Sequence, residues 1–88
     1  MVALDAQTGA IQWQTYTAPE GYSGNSVWGS TPVVDHKRNS LYITTGNNYS
    51  IPADAQSCVL AAGSDPAAVK ACMAADNYFD SILALDLT

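Results

Sequence analysis

The apolar positions of this chain fall in short runs that alternate with polar positions, and segments containing Gly, Pro or Asn separate the runs. Residues 2–5 and 10–17 lie on either side of residues 6–9, where Gly9 supplies the positive φ that a tight turn requires. The period of two predicts a β-hairpin here. Residues 18–26 contain Pro and Gly and predict a loop.

Three further runs have strand character. Residues 27–35 predict a strand, and Gly29 and Pro32 within it indicate a bulge or an edge position. Residues 40–45 are rich in β-branched and aromatic side chains and predict a second strand after a short turn. Residues 81–87 return to the same pattern. The framework is therefore expected to be all-β with antiparallel strands.

One long segment breaks this pattern. Asp65 followed by Pro66 is typical of a helix start, with the Asp as N-cap and the Pro at the first helical position. Residues 67–75 have high helix propensity, and residues 53–62 predict a second, shorter helix. We expect residues 48–79, approximately, to form a helical insertion in the β framework.

Composition and charge narrow the class of protein. The 88 residues suffice for one small domain, near the lower end of what buries an adequate core. The net charge is −5, and three basic residues provide no phosphate-binding surface, so nucleic acid is disfavoured as a partner. No apolar run approaches the roughly 18 residues of a membrane span, and the N-terminus lacks the pattern of a signal peptide.

The two cysteines, Cys58 and Cys72, both fall within the expected insertion, one on each candidate helix. This arrangement suits a disulfide that staples a helical hairpin, and closing a loop of about 15 residues contributes roughly 3 kcal/mol. Such a bond indicates an oxidising compartment, most simply the bacterial periplasm. Two buried thiols are the alternative, while a zinc site is disfavoured because the insertion has no His.

An internal similarity suggests a repeated architecture. Ala-Leu-Asp occurs at residues 3–5 and again at 84–86, with Thr nearby in each copy. The spacing reduces to roughly 50 residues once the helical insertion is set aside, which is typical of the blades of a β-propeller. The chain is therefore expected to be part of a longer protein.

The spacing Ala3-x-Asp5-x-x-Thr8-Gly9-x-x-x-Trp13 resembles the tryptophan docking motif of propellers in the pyrroloquinoline quinone (PQQ) dehydrogenase superfamily. In that motif the Trp packs between blades, and the Asp and Thr-Gly form the turn. The resemblance gives Asp5, Thr8, Gly9 and Trp13 structural roles.

Two later segments extend the resemblance over nearly the whole chain. SVWGSTPVVDHKRNSLYITTGNN (26–48) resembles the family's Trp-containing strand and its Thr-Gly-Asn segment, and ADNYFDSILALDLT (75–88) resembles its Asp-Asn segment. The Cys-containing insertion is similar to that of the polyvinyl-alcohol-dehydrogenase type. The resemblance implies a β-propeller of about eight blades, of which residues 1–88 form roughly one and a quarter.

The resemblance also implies a site. Trp28 matches the residue that stacks on the quinone, and Asn47 matches a calcium ligand. Asp76 matches the proposed general base, and we expect it to contact the calcium ion as well. A flat anionic quinone needs aromatic faces, calcium takes oxygen ligands, and alcohol oxidation needs a base. The family's calcium-binding Glu is expected upstream of residue 1, and its cationic residue downstream of Thr88.

Simpler interpretations of these residues stay open. Trp28 fits a core aromatic residue, Asn47 an ordinary turn residue, and Asp76 a residue that ends a helix. If 27–35 and 40–45 form a strand pair, Trp28 and Asn47 are expected at its opposite ends.

Two functions follow from the resemblance. The first is a fragment of a PQQ- and calcium-dependent periplasmic dehydrogenase that oxidises alcohol or polyol hydroxyls and passes electrons to a cytochrome c. The second is a non-catalytic propeller of the same repeat family that acts as an envelope scaffold or assembly protein. The isolated chain is expected to be inactive, because it cannot close a propeller. It exposes strand edges that neighbours should cover, which predicts poor stability or self-association.

Overall fold

The computed structural model describes residues 1–28 and 31–88, and every strand pair in that part of the chain is antiparallel. The described residues form three small sheets, with strand orders β1-β2, β3-β6 and β4-β5-β7, and no closed barrel. This confirms an antiparallel β framework with a helical insertion, as expected for part of a propeller. The strands are β1 (Val2–Leu4), β2 (Ile11–Gln14), β3 (Ser23–Gly24), β4 (Val33–Asp35), β5 (Ser40–Thr44), β6 (Asn48–Ser50) and β7 (Ile82–Asp86), and the helices are α1 (Ala53–Ala62) and α2 (Pro66–Ala71).

The predicted hairpin is present as β1 paired with β2, in a register that places Ala3 opposite Trp13. Its turn is closed by Asp5, whose Oδ1 accepts hydrogen bonds from the amides of Gln7 and Thr8, both at 2.9 Å. These hydrogen bonds lower the pKa of Asp5 below the ordinary value of 3.8, and the bond from the Thr8 amide has the largest effect. Gly9 has a φ of 75°, the positive value that the turn requires.

The three-stranded sheet has β5 at its centre and β4 and β7 at its edges. Leu83 of β7 lies opposite Ile43, which is buried. The strand predicted over 27–35 begins only at Val33, directly after Pro32, which has no amide to donate. The edge position of β4 agrees with the prediction, whereas the possible bulge at Gly29 lies outside the described residues.

The pairing of β3 with β6 corrects the prediction of an uninterrupted loop at 18–26. Ser23 pairs with Ser50, and their hydroxyl oxygens are 2.6 Å apart. Gly24 makes the pairing possible, because it has a φ of 98° and because a Cβ at this position would collide with the carbonyl oxygen of Asn47. The chain after β5 is therefore held as a strand rather than as a free turn.

The insertion contains the two predicted helices, and a disulfide joins Cys58 to Cys72. Asp65 is the N-cap of α2, since its Oδ1 accepts from the Ala67 amide at 3.1 Å. The helical run predicted to reach residue 75 ends earlier, at Ala71. Beyond that point the Ala74 amide donates to the Tyr22 hydroxyl at 3.1 Å, so the backbone bonds to the loop before β3 instead of continuing the helix.

Burial in this chain is not sorted by hydrophobicity. Among the described residues the buried apolar side chains are Ile43 and Ala55, while Asn25 and Asn77 are also buried. Large apolar side chains on the strands are exposed, including Val2, Leu4, Ile11, Val33, Val34 and Ile82. None of the helices in the described residues is long and apolar enough to cross a membrane.

Candidate functional site

Trp28 lies beside the segment that follows β5. Its side chain is 73% exposed, and its Nε1 atom would be only 3.2 Å from a Cβ placed on Gly46. The Gly46 amide donates to the carbonyl of Ser26 at 3.0 Å, which fixes the two segments side by side. Trp28 is therefore next to the residue that precedes Asn47, and the expectation that Trp28 and Asn47 lie at opposite ends of a strand pair is wrong.

The side chain of Asn47 is exposed, while its backbone carbonyl is hydrogen-bonded to the buried residue Asn25. Its carbonyl oxygen accepts from the Asn25 amide at 2.9 Å, and its side-chain Nδ2 donates to the Asn48 carbonyl at 2.9 Å. Within residues 1–28 and 31–88, no hydrogen bond to its Oδ1 occurs. An exposed amide oxygen of this kind suits a calcium ligand.

Asp76 is exposed and lines an open cavity of about 450 Å³ together with Tyr16, Ala18, Pro19 and Glu20. This cavity is formed by the segment after β2 and the segment after α2. In the part of the chain that the structure describes, Asp76 makes no hydrogen bond to Asn47 or to Trp28. The structure thus places Trp28 beside Gly46, the chain neighbour of Asn47, and leaves Asp76 on a further segment.

One connection between the two segments is a cluster of side-chain amides, which we call the asparagine junction (Asn25, Asn48 and Asn77). Asn25 and Asn77 are buried, and Asn48 is half-buried. Asn48 directly follows Asn47, and Asn77 directly follows Asp76. The amide groups of Asn48 and Asn77 each donate to the Oδ1 of the other at 2.9 Å. The two candidate residues are therefore linked through their chain neighbours.

Asn25 completes the junction. Its Nδ2 donates to Asn77 Oδ1 at 2.8 Å and to the Thr17 carbonyl at 2.7 Å, while its Oδ1 accepts from Asn48 Nδ2 at 2.8 Å. Sequence reasoning missed this cluster. The available signal was that Asn48 and Asn77 directly follow the two residues proposed as cation contacts, and that Asn25 follows a glycine in a polar loop.

The described residues fit a quinone and a calcium ion in part. Trp28 offers an exposed indole face, and Asn47 and Asp76 offer single oxygen donors. Calcium requires six to eight oxygen ligands, and no group of three or more acidic, His or Cys side chains suited to a metal occurs in residues 1–28 and 31–88. Asn47 and Asp76 would therefore supply two of the oxygen donors of a calcium site.

Trp13 takes part in packing away from these residues. Its side chain is half-buried, and its Nε1 donates to the carbonyl of Leu87 at 3.2 Å. This bond ties the β1-β2 hairpin to the end of β7, the strand that carries the second Ala-Leu-Asp copy. Its contact with a neighbouring blade stays a prediction.

Comparison with known proteins gives a consistent relationship. The chain is 36% identical to a polyvinylalcohol dehydrogenase of Sphingopyxis sp. (strain 113P3) over 99 aligned positions, which cover 91% of this chain and 15% of that protein. It is 35% identical to a polyvinylalcohol dehydrogenase of Pseudomonas sp. over 65 positions, covering 57% of this chain and 10% of that protein. No family model and no solved structure matches the chain. The chain is related in sequence to these bacterial dehydrogenases and spans about 15% or less of their length.

Proposed function

We propose that this chain is part of a PQQ- and calcium-dependent dehydrogenase that oxidises hydroxyl groups of an alcohol or a polyol and passes the electrons to a cytochrome c. The observation that carries the proposal is the relationship to two proteins named polyvinylalcohol dehydrogenase, one of which aligns with 91% of the chain. The exposed Trp28 indole beside Gly46, the residue that precedes Asn47, supports the same site.

Each candidate residue then has one role. When bound, the quinone accepts the hydride and the calcium ion acts as a Lewis acid. The indole of Trp28 supplies the aromatic face against which the quinone stacks. The Oδ1 of Asn47 supplies one calcium ligand, and the carboxylate of Asp76 contributes to the calcium environment and takes the hydroxyl proton of the substrate.

The remaining length of the protein supplies what these residues lack. The exposed strands β1, β2, β4 and β7 pack against the rest of the propeller in this proposal, and the other calcium ligands come from there. The isolated 88 residues are accordingly inactive. The Cys58–Cys72 disulfide is typical of an oxidising compartment, and it supports a periplasmic location where a cytochrome c acts as acceptor.

The competing function is a non-catalytic propeller that serves as an envelope scaffold. Exposed apolar strands suit both functions, since either protein would cover them with further blades. An exposed Asp76 at the wall of an open cavity favours the enzyme, because a scaffold has no need of a carboxylate there.

The full-length protein, freed of cofactors and then supplied with PQQ with or without calcium, tests the proposal by dye-linked alcohol oxidation. We expect turnover that requires both additions, and Asp76→Asn is expected to lower kcat by about 10²- to 10⁴-fold because the base is lost. Asp80→Asn is the matched control, since it removes a carboxylate from the same loop. Asp80 has a left-handed backbone conformation, which Asn also adopts.

The outcomes separate the parts of the proposal. Normal turnover in Asp76→Asn would exclude its role as the base, and turnover without calcium would count against Asn47 as a ligand. If the wild-type protein binds no PQQ and oxidises no alcohol, the scaffold function is favoured instead.

A further inference from the structure

Asn25 is the most completely buried side chain in the described part of the protein, with an exposed fraction of 0%. It adopts a φ of 54°, a left-handed conformation that Asn tolerates better than most residues. Its carbonyl accepts from the Thr17 hydroxyl at 2.9 Å, and its amide donates to the Asn47 carbonyl at 2.9 Å. Both its backbone and its side chain are therefore fixed by hydrogen bonds.

These bonds reach the two candidate segments from opposite ends of one residue. The backbone amide of Asn25 holds the peptide of Asn47, and its side chain holds Asn77, the neighbour of Asp76, at 2.8 Å. The second bond spans 52 residues of sequence and reaches the end of the insertion. Asn25 therefore helps to hold the segments bearing Asn47 and Asp76 together, alongside the direct Asn48–Asn77 pair and the bond from the Asp80 amide to the Gly46 carbonyl.

The chemistry of the junction requires amides rather than carboxylates. Asn77 Oδ1 accepts from both Asn25 and Asn48, while Asn77 Nδ2 donates to Asn48 Oδ1. A carboxylate at any of the three positions would lose the amide's donors, and at Asn25 or Asn77 it would place a buried charge among acceptor oxygens. Among the described residues, no buried side-chain polar atom lacks a partner, so the buried amides of the junction are fully bonded in this arrangement.

We propose that Asn25 is a positioning residue, which sets the Asp76 carboxylate relative to the Asn47 ligand through the asparagine junction. The inference rests on the proposed function, because it assigns the junction to the same site. Asn25 itself touches neither substrate nor cofactor. Its effect on catalysis passes through Asn77 and through the Asn47 peptide.

Asn25→Gly in the full-length protein tests this role. Glycine keeps the left-handed backbone and the hydrogen bond from the backbone amide of residue 25 to the Asn47 carbonyl. The variant therefore removes the side-chain hydrogen bonds alone. Asn39→Gly is a matched control, since Asn39 also has a positive φ, of 50°. Its side-chain Nδ2 donates a hydrogen bond to Asp86 Oδ1 at 2.8 Å, away from the site. Hydrogen–deuterium exchange of residues 74–80 is measured alongside kcat and KM.

For Asn25→Gly we expect faster exchange in residues 74–80 and a kcat lowered by about 10- to 100-fold with KM little changed, as for a misplaced catalytic group. Asn39→Gly should change neither. If Asn25→Gly does not fold, the half-buried Asn48→Ala is expected to give the same pattern more weakly, and a normal kcat in that variant would overturn the inference.

The remaining outcomes are distinct. Faster exchange with an unchanged kcat, or a lowered kcat with unchanged exchange, would overturn the positioning role while the proposed function stands. A wild-type protein without PQQ- and calcium-dependent turnover would overturn the proposed function and this inference with it, and the exchange data would then report only on the structural link between the segments.

Discussion

The asparagine junction and the outer strands of the same small fold contrast in what they bury. In the junction, Asn25 and Asn77 are 0% and 7% exposed, whereas Ile82 on β7 is 79% exposed. The hydrophobic effect alone would favour the reverse arrangement, since burying an Ile side chain stabilises by roughly 1.5–3 kcal/mol. The difference indicates that the two regions serve different purposes in the protein.

The junction is stable as a polar cluster because its hydrogen-bonding groups find partners inside the chain. An unpaired buried amide would cost about 1–3 kcal/mol, so the arrangement tolerates little displacement of any member. It joins the segment after β2, the strand β6 and the end of the insertion. Within the described residues, the buried polar side-chain atoms of this region all have hydrogen-bond partners.

The outer strands, in contrast, leave large apolar side chains exposed. Val33 and Ile82 border a shallow apolar groove of about 210 Å³ on the β4-β5-β7 sheet, together with Tyr42 and Thr44. Apolar residues of this size are normally covered in a folded protein when they form a contiguous patch. In the proposed propeller the neighbouring blade provides that cover.

The largest expected effect concerns the disulfide that holds the insertion beside the junction. Cys72 directly precedes Met73, whose sulfur accepts from Asn77 Nδ2 at 3.1 Å. In the full-length protein, Cys58→Ser combined with Cys72→Ser should destabilise the insertion by about 3 kcal/mol, because the closed loop of about 15 residues is released.

Hydrogen exchange of residues 53–77, with and without a reducing agent, measures this effect. The wild-type protein should become like the double variant when it is reduced, and the double variant should not respond. Equal protection of oxidised and reduced wild-type protein would show that the disulfide contributes nothing to holding Asn77 in place.

A second, smaller effect tests the outer strands. If the rest of the protein covers the β4-β5-β7 sheet, Ile82→Thr in the full-length protein should lower the free energy of unfolding by about 2 kcal/mol through lost apolar burial. Leu60→Gln on α1, which is 81% exposed, is the control and should change it by less than about 0.5 kcal/mol. Equal, small effects in urea unfolding would place Ile82 in solvent and remove the contrast between the two regions.

Local patterns predicted the regular elements well. Alternation identified the β1-β2 hairpin, Asp65-Pro66 identified the start of α2, and the cysteine spacing identified the disulfide. Each of these features is decided by residues close in sequence, or by a reactive pair that has no other partner. For such features the chemistry of a few side chains is sufficient.

The β3-β6 pairing and the asparagine junction could not be derived in the same way. Ser23–Gly24 has no apolar alternation, and its pairing depends on a backbone approach that only Gly24 permits. The junction needs three segments to meet, one of them 52 residues away from Asn25. The placement of Trp28 beside Gly46 is likewise set by a backbone bond from Gly46 to Ser26 that no periodicity signals.

The smallest expected effect concerns the hairpin turn, where a charge is stabilised by local bonds rather than by burial. Because the amides of Thr8 and Gln7 lower the pKa of Asp5, its charged form favours the folded turn. That contribution is present above the ordinary value of 3.8 and is lost as the pH falls through the lowered value in the folded protein. Asp5→Asn keeps an acceptor oxygen without the charge and should lose this pH dependence.

Exchange protection of the Gly9 amide, which donates to the Asp5 carbonyl at 2.8 Å, reports on the turn in the full-length protein after correction for the intrinsic exchange rate. Wild-type protection should exceed that of Asp5→Asn by only a few-fold near neutral pH, since solvent screens the charge, and the two should converge below the ordinary carboxyl range. The junction amides carry no charge that titrates, so protection of the Asn25 amide should keep the same ratio between the two proteins throughout. A difference that persists at low pH would assign the turn's stability to side-chain shape instead of charge.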